Sequence, residues 1–168
     1  LSLTVPEGSI YGFIGENGAG KTTTMKIITG LLASDGGEIR ICGEKVSYGQ
    51  TRTNRFVGYL PDVPEFYGYL TAREYLLLVG GLAGLPAGTL AKRADELLEL
   101  VGLSDSASRR IGGFSRGMKQ RLGIAQALIH RPKLLICDEP TSALDPAGRK
   151  DIIDILRAIR PETTVLFS

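Results

Sequence analysis

Apolar residues recur along this chain in two alternating rhythms. Short runs at 57–60, 134–137 and 163–167 are almost wholly apolar, as expected of parallel strands covered on both faces. Residues 3–5, 10–14 and 38–42 are further strand candidates. Between them, apolar residues fall at helical spacing. A helix over 21–32 places Met25, Ile28 and Leu32 on one face. A second starts at Thr71, whose hydroxyl can cap while Glu74 reaches back, and runs to about residue 84, ahead of Leu85-Pro86. A third carries Leu90, Ala94, Leu97, Leu98 and Val101 and stops at Gly102. A fourth follows Ser115 and must end before Pro132; a fifth has Asp145 as N-cap, Pro146 at its first position, and Ile152, Leu156 and Ile159 along one side. Strand and helix alternation at both ends predicts an α/β layered core. The two consecutive helices between 71 and 101 read as a helical insertion in it.

Length and composition narrow this picture. The 168 residues suffice for one domain, and 43% apolar with 23% charged residues suits a globular fold. Twenty basic against 18 acidic residues leave a formal net charge of +2, which supplies no electrostatic reason to expect a nucleic-acid partner. The longest apolar stretches, such as 75–84, are too short to span a bilayer, and the N-terminus has no basic-then-apolar leader. Any membrane connection is therefore expected through another subunit. Cys42 and Cys137 each sit in a strand-like run and are expected as reduced core residues. His130, before Pro132, is expected at the surface.

Chemistry concentrates at two places. Gly15-Glu16-Asn17-Gly18-Ala19-Gly20-Lys21-Thr22 fits G-x-x-x-x-G-K-[ST] between a strand and a helix. By residue frequencies the pattern arises by accident in only roughly 1% of chains this long, and the strand–loop–helix context lowers that chance further. Glycines let backbone amides wrap phosphate oxygens, and the helix N-terminus adds partial positive charge. Lys21 supplies a full charge to the β- and γ-phosphates, and the hydroxyl of Thr22, followed by Thr23, can ligate Mg²⁺. The second place is Leu134-Leu135-Ile136-Cys137-Asp138-Glu139, two carboxylates at the C-terminal end of a buried strand. Asp138 is suited to hold Mg²⁺ through water, and Glu139 to polarise the water that attacks the γ-phosphate.

Taken with Phe114-Ser115-Arg116-Gly117-Met118 and Ser142-Ala143-Leu144-Asp145, this motif order resembles an ATP-binding cassette (ABC) nucleotide-binding domain over nearly the whole chain. The resemblance implies a P-loop NTPase (RecA-like) parallel-sheet core, with β elements on the N-terminal side and a helical subdomain at about 66–130. It implies ATP and Mg²⁺ as ligands, a second cassette and a transmembrane permease as partners, and a place on the cytoplasmic face of the membrane. Residues 114–118 are similar to the family's Leu-Ser-Gly-Gly-Gln signature, with Arg116 in place of a glycine and Met118 in place of the glutamine. Ser115 and Gly117 would then bind the γ-phosphate held by the opposite cassette. Asp145 matches the aspartate that links the two sites, and its helix-capping role is compatible with that. Asp62 falls at the position of the family's Q-loop glutamine; an ionised carboxylate accepts hydrogen bonds but donates none. The wording after Ser115 looks most like exporter cassettes. Alternatives are a non-transport cassette ATPase or a nucleotide-binding module without turnover.

The family's adenine-stacking aromatic is expected upstream of residue 1, and its γ-phosphate histidine just beyond Ser168, together with a last core strand. Weak ATP binding and poor hydrolysis are accordingly expected of the 168-residue chain by itself.

Overall fold

The computed structural model describes residues 1–16 and 18–168. Four parallel strands make the central sheet: β1 (Ile10–Gly12), β4 (Val57–Leu60), β5 (Leu134–Cys137) and β6 (Thr164–Phe167), in the order β1-β6-β5-β4. The registers run Ile10↔Val165, Leu135↔Val165 and Leu60↔Cys137, so all four C-terminal ends lie on one side. Alternation along β5 explains its apolar run. Leu135 and Cys137 join one core cluster with α4 (Arg116–Leu128) and α5 (Pro146–Ile159), while Ile136 turns to the other face, against Met25 of α1 (Lys21–Ile28) and Leu166. Both faces are covered, as parallel sheets require.

Helices α2 (Ala72–Leu82) and α3 (Ala87–Leu100) follow β4 and pack with α4 before the chain returns to the sheet at β5. Thr71 and Glu74 form the reciprocal capping box that starts α2. Close backbone approaches lock this region to the sheet. A Cβ on Gly58 would lie 2.2 Å from the Ala127 carbonyl oxygen, and one on Gly123 would lie 2.5 Å from Leu60 Cδ1. Only glycine lets α4 lie this near β4, and that approach sets where the N-terminus of α4 emerges.

Several predicted boundaries move. Residues 3–5 are not a strand: Val5 packs on the Met25 cluster, but Pro6 has no N–H to donate, and Ser9 N–H closes a turn on its carbonyl. β1 stops at Gly12 and Ile14 is 94% exposed, since the chain is leaving the sheet for the loop. α1 ends at Ile28: Gly30 takes φ +73°, both Leu31 and Leu32 amides fold back on the Lys26 carbonyl, and Leu32 is exposed beyond the helix. The 38–42 run shortens to β2 (Arg40–Ile41), which pairs with β3 (Glu44–Lys45) across a tight hairpin. Cys42 and Gly43 form its tip with φ of +50° and +80°. Cys42 is therefore exposed rather than a core residue, because the turn points it outward. Cys137 is buried as expected, and burial pushes its thiol far up. His130 is half-buried rather than on the surface; its Nε2 lies 3.1 Å from the Val57 carbonyl and ties the end of α4 to β4.

Two glycines should answer substitution in opposite directions. Gly58→Ala must separate α4 from β4 and should cost about 1–3 kcal/mol. Gly81→Ala, in α2 with no heavy atom within 4 Å of the new methyl group, should stabilise by about 0.5–1 kcal/mol. Urea denaturation of each variant checks both signs.

Candidate functional site

The loop between β1 and α1 is shaped by left-handed glycines. Gly18 has φ +82° and Gly20 φ +89°, conformations that carry no steric cost only without a Cβ. Gly20 is the N-cap of α1 and supplies no side chain to its amides. The first helical hydrogen bond is Thr24 N–H to the Gly20 carbonyl, so the amides of residues 21–23 have no partner within the helix. They point, with the positive end of the helix dipole, into open space. The Lys21 ammonium donates to the Gly15 carbonyl at 2.8 Å and the Glu16 carbonyl at 3.0 Å. Both acceptors are neutral, and no carboxylate pairs with Lys21 among the described residues. Its charge is held over the loop without being cancelled. Ala19 N–H closes the turn on the Glu16 carbonyl; Asn17 lies outside the described residues.

A cavity of about 250 Å³ opens here, lined by Gly18, Gly20, Lys21, Thr22, Thr23 and Glu139. Glu139 arrives from far along the chain because β6 pairs β1 on one side and β5 on the other. Its backbone is in the left-handed region, φ +45°, a costly state for a residue with a Cβ. Two hydrogen bonds fix it. Its amide donates to Ser168 Oγ at 2.9 Å, and its carbonyl accepts from Ser142 N–H at 3.0 Å. Asp138 is 4% exposed; its Oδ1 accepts from Ser168 Oγ at 3.1 Å and its amide donates to the Leu60 carbonyl. Burial, and then the nearby Asp138 charge, raise the Tyr59 phenol above its usual range, keeping it neutral.

The oxygen donors present, the Thr22 hydroxyl with the Asp138 and Glu139 carboxylates, suit a hard cation such as Mg²⁺. That ion typically takes one or two carboxylates and completes its shell with water and substrate phosphates. No group of three or more His, Cys, Asp or Glu able to hold a metal without such help occurs among the described residues.

The remaining predicted residues lie outside this cavity. Ser115 caps α4 by accepting from Met118 N–H at 3.2 Å, with Gly117 in the first turn against Leu144. Asp145 caps α5 through Gly148 N–H at 3.0 Å. Asp62, beyond β4, accepts a hydrogen bond from the Ser142 hydroxyl and lies 3.7 Å from the Arg116 guanidinium. Sequence reasoning missed Ser168 and Ser142 as supports of the acidic pair. A serine carries no periodic signal, and its partners come from other strands.

Comparisons with known proteins bear on the family and the fold. The ABC transporter family pattern matches residues 1–142. The uncharacterised ABC transporter ATP-binding protein YxlF of Bacillus subtilis is 48% identical over 168 residues, covering 100% of this chain and 55% of that protein. The bacitracin transport ATP-binding protein BcrA of Bacillus licheniformis is 44% identical over 165 residues, covering 98% of this chain and 53% of that protein. The chain thus spans about half the length of the curated relatives it matches. Among solved structures, the ATP-binding cassette MJ0796, a dimer in a post-hydrolysis state bound to ADP and Pi, superposes with a TM-score of 0.85. It is 28% identical, and the match covers 99% of this chain and 77% of that one. The α/β parallel sheet is therefore a P-loop NTPase fold.

Lys21→Ala removes the only full positive charge lining the cavity among the described residues. Nucleotide triphosphate affinity should fall by about 10- to 100-fold, the worth of one charged hydrogen bond. Calorimetric titration with ATP in Mg²⁺ checks it; unchanged affinity would remove the loop from the binding site.

Proposed function

This chain belongs to the ABC transporter family of ATP-binding proteins, and from that premise we propose that it binds and hydrolyses ATP to power transport through a partner membrane subunit. The observation that carries the reading is the cavity in which Lys21, Thr22 and Thr23 face Glu139 across the mouth of the phosphate loop. The amides of residues 21–23, which have no partner within the helix, and the Lys21 ammonium would bind the β- and γ-phosphates of ATP. Gly15, Glu16, Asn17, Gly18, Ala19 and Gly20 would form the wall of the cradle. Thr22 and Asp138 would hold Mg²⁺, which when bound neutralises phosphate charge. Glu139 would accept a proton from water as its oxygen bonds to the γ-phosphorus and the bond to the bridging oxygen of ADP breaks.

Ser115 and Gly117 stand at an exposed helix N-terminus and outside their own chain's cavity, an arrangement that fits service to a second cassette's ATP. The dimeric state of the similar cassette MJ0796 supports this pairing. Asp145 would link the two sites while capping α5. The helical subdomain, at about 66–130, would carry the Ser115 end toward or away from the partner. No helix among the described residues is long and apolar enough to cross a membrane; the family membership favours a separate permease subunit as the path. We place the protein on the cytoplasmic face of the membrane. The bacitracin transport in the name of BcrA favours small molecules as the cargo, and the likeness of the residues after Ser115 to exporter cassettes favours export as the direction.

Glu139→Gln keeps the shape of the cavity and removes the base. In the intact protein with its membrane subunit, ATP binding should persist while turnover falls by about 100-fold or more. A phosphate-release assay beside a nucleotide-binding titration reads both. Turnover at the unaltered rate would overturn Glu139 as the base.

A further inference from the structure

We propose that Asp62 and Arg116 form a compensated charge pair which, through Ser142, positions the turn that carries Glu139; the proposal rests on the ATPase reading above. Three segments meet at this point. Asp62 lies just past β4, Arg116 is the first residue of α4, and Ser142 belongs to the turn after β5. The Ser142 hydroxyl donates to Asp62 Oδ1. The Arg116 guanidinium lies 3.7 Å from that same oxygen and 3.5 Å from Ser142 Oγ. Ser142 in turn donates its amide to the Glu139 carbonyl at 3.0 Å, one of the two hydrogen bonds that hold Glu139 at φ +45°. A side chain that anchors Ser142 therefore acts on the backbone of the proposed base without touching nucleotide. Asp62 is accordingly absent from the lining of the phosphate cavity.

The two charges also explain each other. Asp62 and Arg116 are two of the positions, Met118 being another, at which this chain departs from the motifs it resembles, and these two carry opposite charges that meet in the fold. Either change alone would set an unanswered charge beside Ser142. With side chains 50% and 44% exposed, the pair is screened by solvent, so its contribution to overall stability is small. Its consequence is orientation: Asp62 is a positioning residue rather than a ligand of the nucleotide.

The test reverts each departure in the intact protein: Asp62→Gln, Arg116→Gly, and both together. Each single change should lower kcat about two- to fivefold, the scale of one half-exposed ion pair, with KM for ATP unmoved. The double change should return kcat to near the starting value. Independent, multiplying losses, or a shift in KM with kcat intact, would overturn the proposal. If a single variant unfolds early, Asp62→Asn and Arg116→Gln repeat the cycle with side-chain size kept. Glu139→Gln in the same assay separates the two claims. Undiminished turnover there removes Glu139 as the base, and absence of turnover in the unaltered intact protein would defeat the ATPase reading, whereas additivity at 62 and 116 defeats only the pair.

Discussion

Strand β6 holds the site together. It hydrogen-bonds β1 along one edge and β5 along the other, and both halves of the chemistry leave from the same end of those neighbours. The phosphate loop departs from β1 and the acidic pair from β5. Ser168, at the end of β6, accepts the Glu139 amide and donates to Asp138. Parallel pairing brings the C-terminal ends of strands together at one edge of the sheet, where ligands of open α/β sheets gather. Loss of this strand would leave the loop and the carboxylates without a fixed separation.

Around that frame, the same groups serve structure and chemistry together. Ser115 and Asp145 satisfy helix amides as caps, and both belong to the proposed contact with a second cassette. The first turn of α1 is the contrast: Gly20 offers it no cap and no acidic residue follows. That omission leaves amides for an anion, and Lys21, bonded to neutral carbonyls, keeps its charge for the same purpose. α3 likewise lacks a side-chain cap, so it is the cavity and the Lys21 charge beside the first turn of α1 that set this helix end apart. The close glycine contacts of α4 with β4 then relate the signature helix to the sheet carrying the acids.

Much of this was legible from residues alone because the relevant forces act over a few positions. The phosphate loop, the Thr71 capping box, the Asp145 cap with Pro146, and the buried strand before Asp138 each depend on neighbours within about one or two helical turns. Expectation and structure part where a turn cuts into an apolar run. The 3–5 run looked like a strand but meets Pro6, and Cys42 looked like core but forms the tip of a hairpin.

Local spacing by itself thus determined the five helices and the three buried strands in outline, the phosphate loop and the pair of carboxylates, because periodicity, capping and glycine conformation are short-range. The tertiary structure decided which distant groups meet: Glu139 with Lys21 across β6, Ser168 with the acidic pair, and Asp62 with Ser142 and Arg116. Strand order and the depth at which α4 seats on the sheet set those meetings. Both arise from packing summed over the whole core, which no short stretch of sequence encodes.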